Sequence, residues 1–201
     1  MSRLLMTNSS ERNLSMPYPE RLNQYVETEK QRHFPKDFMI GWENYETWED
    51  ASVGQSGPAQ RVFKITAEDI VSYNRACGET DPLMVDADYA AKHSPTGELL
   101  QHPIFVTAIA FYSLGEQGIG TWIRTPGARN PHQHIEIFEP FRYGEDITTT
   151  VTTHDKFTQR GKPYIYMKLD FHNGQGVLKA RWLCSLILPP SRADVARFAN
   201  A

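Results

Sequence analysis

The chain has 201 residues, room for one sizeable domain or at most two small ones with a core of their own, so no disulfide staple is needed. Its 21 Lys and Arg against 24 Asp and Glu give a net charge of −3, which leaves no basic excess for a nucleic-acid backbone or an anionic membrane. Cys77 and Cys184 lie far apart and in no C-x-x-C or His-spaced pattern, which argues against a zinc module and a disulfide framework and fits a reducing cytoplasm.

The opening residues, MSRLLMTNSSERN, hold one short apolar patch where a secretory signal needs about 7–15 apolar residues, so export by that route is not expected. Residues 1–60 read as an arm or extension, with Pro17, Pro19 and Pro35, many charges and one short predicted helix, Glu20 to Arg32. Its aromatics (Tyr18, Tyr25, Phe34, Phe38, Trp42, Tyr45, Trp48) are too many for a free tail and predict packing on a body or a partner.

Residues 61–190 carry the stronger signals, and 191–201 read as a tail. Val62, Phe63 and Ile65 predict a short strand, and Thr66-Ala-Glu-Asp69 is a capping box that opens a helix over Ala67 to Ala76, with Ile70, Val71 and Tyr73 as its apolar stripe. A second short helix is predicted near Asp86, through Tyr89, Ala90 and Ala91. Pro103 to Gly115 then predicts a helix with Pro at its first position, Gly just past its end and apolar residues all round, hence a buried one. At Ile104 to Leu114 the apolar run is far short of the roughly 20 residues that span a bilayer.

The C-terminal half changes period. His132 to Phe138 alternates, and Asp146 to Phe157, Tyr164 to His172 and Val177 to Leu188 are long β-branched or aromatic runs, parted by turns at Arg160-Gly161-Lys-Pro163 and Asn173-Gly-Gln-Gly176. They predict an antiparallel meander whose apolar face is covered by the Pro103 helix, an α+β architecture.

Gly78-Glu-Thr-Asp-Pro-Leu-Met-Val-Asp86, then Tyr89-Ala90, Leu100-Gln-His-Pro103 and Phe138-Glu-Pro-Phe-Arg-Tyr-Gly-Glu-Asp146, are similar to the motifs of MaoC-like hydratases/dehydratases. The resemblance runs from about Trp42 to Pro189 and implies the hotdog fold, an antiparallel sheet wrapped around a long central helix. It also implies hydration of a trans-2-enoyl thioester, or the reverse dehydration, with coenzyme A or an acyl carrier as the handle and no cofactor. The chemistry needs a base near water, an acid for the α-carbon and donors at the thioester oxygen. Backbone N–H groups around Ile104 and Phe105, at the mouth of the central helix, are the donors the resemblance implies.

Carried over by position, the family's catalytic Asp falls on Glu79, its Asn on Asp81 and its His on Met84, whose thioether neither gives nor takes a proton near neutral pH. Two readings stay open. Either Glu79 with Asp81 keeps the chemistry and His102 replaces the missing imidazole, or the chain is the substrate-shaping subunit of a heteromeric hydratase, with Met84, Pro103, Ile104 and Phe105 against the substrate. Hotdog domains pair through sheet edges, so a homodimer or a heterodimer with another hotdog subunit is expected.

Plainer readings accompany these: Glu79 and Asp81 as turn residues, His102 as an ordinary helix-mouth residue, and His132 with His134 as a solvated face rather than half a metal site. Ser94, Ser113 and Ser185 lack the G-x-S-x-G context of a serine hydrolase, and the Gly115–Gly120 glycines follow a helix and lack Lys, a poor phosphate loop. The rival functions are a non-enzymatic hotdog that binds and stabilises a neighbour and, third, an acyl-CoA thioesterase using Glu98 or Glu116.

Overall fold

The computed structural model describes residues 26–33 and 45–199. The chain divides into two units, Met1–Lys36 and Asp37–Ala201. In the first, the helix Glu29–His33 opens on Thr28, whose hydroxyl accepts the Gln31 N–H at 3.2 Å while Gln31 Oε1 accepts the Thr28 N–H at 2.9 Å. This reciprocal cap starts the helix at Glu29, with residues 26–28 non-helical, whereas the sequence predicts a start at Glu20. Residues 20–25 of that prediction, and Tyr18, Tyr25, Phe34, Phe38 and Trp42, lie outside the described residues.

The second unit is built on an antiparallel sheet. Its strands are β1 (Ser56–Pro58), β2 (Phe63–Lys64), β3 (Arg129–Ile137), β4 (Asp146–Gln159), β5 (Lys162–His172) and β6 (Leu178–Ile187), in the order β1-β4-β5-β6-β3 with β2 also on β4. Along β5 every second residue from Pro163 to Phe171 is buried, the alternation of a sheet with one face on a core. Arg160 (φ 50°) and Gly161 (φ 71°) close β4 onto β5 as a two-residue turn with both φ positive.

β4, β5 and β6 form the predicted meander, but β3 does not join it beside β4. It pairs with β6, Ile135 opposite Trp182 and Ile137 opposite Ala180, at the far edge of the sheet. The free edge of β4 is already taken, by Ser56–Pro58 against Thr150–Thr152 and by Phe63 against Ile147. The Lys179 carbonyl accepts the N–H groups of both Phe138 (2.9 Å) and Glu139 (3.1 Å), which holds the end of β3 on β6 before the chain crosses to β4.

The helix Ala67–Ala76 forms as predicted, with Thr66 and Asp69 capping each other. The predicted second helix spans Ala87–His93 behind the Asp86 cap, and a one-turn helix, Pro82–Val85, precedes it. The central helix is shorter than predicted, Val106–Ser113. Phe105, Thr107 and Ala108 donate to the carbonyls three residues back, His102, Ile104 and Phe105, so the first turn is a tight one and the α-helix starts beyond it. Nor is it buried all round. Val106, Ile109 and Ala110 enter one core with Val151, Leu169 and Trp182, whereas Phe111 on the helix and Ile104 in the turn before it are each 44% exposed.

Part of the predicted arm packs into this unit: Tyr45 and Ala51 are buried and the Trp48 indole donates to the Tyr164 carbonyl at 3.0 Å. The C-terminal stretch is held by buried Val195 and by Arg192 on Asp50 at 3.0 Å.

Candidate active site

The site is assembled around a residue that the motifs do not mark. Four residues after Ile70, on the stripe of Ala67–Ala76 that faces the core, stands Asn74, fully buried. A buried amide needs partners at both ends. Asn74 Nδ2 donates to the carbonyls of Met84 (2.7 Å) and Leu100 (2.9 Å), and its Oδ1 accepts the His102 N–H at 2.9 Å. Its backbone carbonyl also accepts the Glu79 N–H at 3.0 Å. One side chain and its own peptide thus hold the three segments that carry Glu79, Met84 and His102. The signal that could have found it is a polar residue on an otherwise apolar stripe.

The outcome is that Glu79 and His102 meet. Glu79 Oε1 lies 3.8 Å from His102 Nε2, both side chains partly exposed. That is too long for a direct hydrogen bond, yet a water about 2.8 Å from each atom fits between them. The Ile104 N–H donates to His102 Nδ1 at 3.3 Å, which puts the proton of the neutral ring on Nε2, the atom facing Glu79.

Asp81 is placed differently. Its Oδ1 accepts the Leu83 N–H at 2.9 Å and caps Pro82–Val85, a turn-forming duty on the exposed side of the segment. The two amides expected to stand free at the helix mouth are both engaged by His102, Ile104 through the ring and Phe105 through the His102 carbonyl at 2.9 Å. Tyr73 closes the other side of this turn. Its hydroxyl donates to the Ile104 carbonyl at 3.0 Å and lies 2.9 Å from Thr107 Oγ1, its ring is edge-on to Phe105 at 5.4 Å, and burial raises its pKa above the usual phenol value.

Beside this pair opens a cavity of about 370 Å³ between two stretches of chain, Glu98 to Pro103 and Ile137 to Arg142. Met84, His102 and Pro103 line it together with the apolar Leu99, Leu100 and Phe141; Glu79 is tied to it through His102. Two contacts join the walls: the Gln101 side-chain amide donates to the Phe141 carbonyl, and Arg142 sits 3.7 Å from Glu98 at the rim.

Of the remaining candidates, Glu116 is committed to Arg61 (2.7 Å) and to the buried Arg124 (2.6 Å). Burial would raise its pKa, but the bonds and charges of these guanidinium groups and a backbone N–H outweigh that and hold it below the usual carboxylate range. His132 and His134 are exposed on β3, and His134 Nε2 lies 3.6 Å from Glu136. Among the described residues no three His, Cys, Asp or Glu side chains gather as metal ligands, and no helix is long and apolar enough to cross a membrane.

No protein-family model matches the chain. Over 137 residues it is 26% identical to a UPF0336 protein of Streptomyces griseus, covering 67% of this chain and 91% of that protein. Among solved structures it is similar to an (R)-hydratase from Pseudomonas aeruginosa, at 19% identity and a TM-score of 0.58, over 73% of this chain and 88% of that one. A MaoC-like dehydratase from Rhodospirillum rubrum aligns at 19% identity with a TM-score of 0.55, over 71% and 97%. The HadBC (3R)-hydroxyacyl-ACP dehydratase complex of Mycobacterium tuberculosis aligns at 17% with a TM-score of 0.55, over 67% and 96%. At these identities the likeness establishes the fold: the chain is an α+β protein with the hotdog fold.

Proposed function

We propose that the chain is an acyl-thioester hydratase/dehydratase of MaoC type, with Glu79 and His102 as its acid–base pair and coenzyme A or an acyl carrier as the substrate's handle. The observation that carries this reading is the 3.8 Å approach of Glu79 Oε1 to His102 Nε2 beside an apolar cavity. In the hydration direction, His102 Nε2–H donates to the oxygen of a bound water and Glu79 accepts one of its protons, so the oxygen adds to the β-carbon of the enoyl thioester. The proton then on Glu79 passes to the α-carbon of the enolate. Charge developing on the thioester oxygen attracts the Ile104 N–H away from neutral His102 Nδ1, because a charged acceptor forms the stronger bond. Asp81 shapes the turn that presents Glu79, and Pro103 and Phe105 shape the helix mouth.

Loss of the conjugated enoyl absorbance on adding the full chain to a trans-2-enoyl-CoA tests this. Turnover is expected, with Glu79→Gln and His102→Asn each about 10²–10⁴-fold slower, the usual worth of a positioned acid or base. Unchanged rates in both variants refute the assignment.

A second reading, in which the chain shapes the substrate for a catalytic hotdog partner, is favoured by Met84. It lines the cavity where the family pattern has its imidazole. β3 ends the sheet as a nine-residue strand that is exposed over most of its length, an edge suited to pairing with a like or unlike hotdog. Under this reading the chain alone is inactive and a partner with an intact Asp and His restores turnover. A purely stabilising hotdog would gain nothing from acyl-CoA, whereas a true ligand at a hundred times its Kd adds about 2.7 kcal/mol of stability.

A further inference from the structure

We infer that the cavity is built for an acyl group of limited length and that Phe141 is the residue that ends it. The inference rests on the thioester reading and goes beyond it by naming the substrate class. At about 370 Å³ the cavity falls within the roughly 300–1,000 Å³ of ligand sites and sets a finite length on any chain it holds. Its lining around Met84, Leu99, Leu100 and Phe141 is apolar, as an acyl chain requires, with the charges of Glu98 and Arg142 paired at the rim.

At Leu99 and Phe141 the apolar wall backs onto the packed core, whereas Leu100 and Ile137 on the same lining are exposed. Phe141 is 5% exposed, and its ring stands edge-on against the fully buried Phe171, centroids 6.5 Å apart and planes at 89°. Leu99 beside it is also buried in the same core. Well-packed interiors give way only at a cost, so a longer chain would have to displace this ring.

Nor is the wall free to swing. The Phe141 carbonyl is held by Gln101, and the next amide, Arg142 N–H, donates to Glu145 Oε2 at 2.7 Å. Glu145 Oε1 is in turn paired with buried Lys179 at 3.0 Å. Phe141 is thus pinned on both sides, one pin belonging to the opposite wall of the cavity and the other to the sheet. A fixed apolar end wall discriminates by length, because a methylene that cannot be seated is worth about 10- to 200-fold.

The test is the affinity of the full chain, by calorimetry, for saturated acyl-CoAs with four, eight, twelve and sixteen carbons. Affinity should fall about tenfold or more between eight and sixteen carbons, and Phe141→Ala should abolish the fall. Phe141→Leu, which keeps an apolar wall and a smaller volume change, carries the same test if Phe141→Ala does not fold, with circular dichroism as the check. Wild-type affinity that keeps rising to sixteen carbons overturns the inference. So does a folded Phe141 variant with the wild-type length order. Binding at no length at all overturns the thioester reading itself, a result distinct from binding with the wrong length preference.

Discussion

The meander and the segment that carries the site are held together in opposite ways. β4, β5 and β6 run 14, 11 and 10 residues, paired almost end to end, so their cohesion is divided among many cross-strand neighbours. Between Glu79 and Phe105 the chain makes only helices of four and seven residues and several turns; the stretches that carry Met84 and His102 converge on the side chain of Asn74, and Glu79 is held by its backbone carbonyl. A sheet tolerates the loss of one contact because its neighbours keep the register. A hub with three bonds has no such reserve.

The sharpest way to break this comparison is Asn74→Ala. It removes three hydrogen bonds and leaves the Met84 and Leu100 carbonyls and the His102 amide without that partner. A buried group left unsatisfied costs ~1–3 kcal/mol, and because these three are only partly buried a loss of about 3 kcal/mol is expected. Thr152→Val, on the meander where the hydroxyl meets Ser56 Oγ at 2.8 Å on the surface, should stay within about 0.5 kcal/mol. Urea unfolding of both variants measures the contrast. A cost below ~1 kcal/mol for Asn74→Ala would show that the site segment has supports besides this hub.

Lys179 sharpens the comparison from the sheet side, because it is the place where the sheet depends on a single group. Its side chain is 2% exposed on β6, between Glu145 at 3.0 Å and the more exposed Glu139 at 3.5 Å. Lys179→Met leaves the largely buried Glu145 carboxylate without its cation, and about 3 kcal/mol of stability should go with it. Burial alone would raise the pKa of Glu145, but the Arg142 amide, Asn173 and Lys179 outweigh it and hold the carboxyl below its usual range. A depressed carboxyl contributes stability above its unfolded pKa of about 4.3 and loses it as pH falls through the lower folded value. Wild type should therefore lose more stability than Lys179→Met between pH 7 and the acid side of that window, read as the shift in urea midpoint. Parallel losses in the two proteins would mean that Lys179 does not set the ionisation of Glu145.

The same division decides what could be read from residues alone. The β-branched and aromatic runs of β4 to β6, with turn residues between them, and the Thr66–Asp69 cap, with a span of three, are local patterns, so both were legible. The place of β3 was not, since its partner is chosen by which sheet edge remains open and not by its neighbours in sequence. Pro82–Val85 is a single turn, too short to show a period. Within the site, the pairing of Glu79 with His102 could be proposed from the departed motif. The capture of the Ile104 and Phe105 amides by His102 could not, because it depends on how the first turn of the central helix tightens. Asn74 shows as a polar residue on an apolar stripe, but which carbonyls it serves is a tertiary fact.

The smallest expected effect lies in the meander and runs in the stabilising direction. Arg160 is the non-glycine residue with positive φ in the described chain, at 50°, in the turn it shares with Gly161. A left-handed conformation costs an ordinary L-residue roughly 1–2 kcal/mol, whereas Asn adopts it more readily and Asn-Gly is the favoured pair for a two-residue hairpin turn. Arg160→Asn should add about 0.5 kcal/mol, seen as a small rise in urea midpoint with an unchanged slope, and the site should not register it. If the gain appears together with altered acyl-CoA affinity, the sheet and the site are coupled more tightly than one hub and one buried lysine provide for. A gain without such a change leaves the sheet as the independent platform on which the site is mounted.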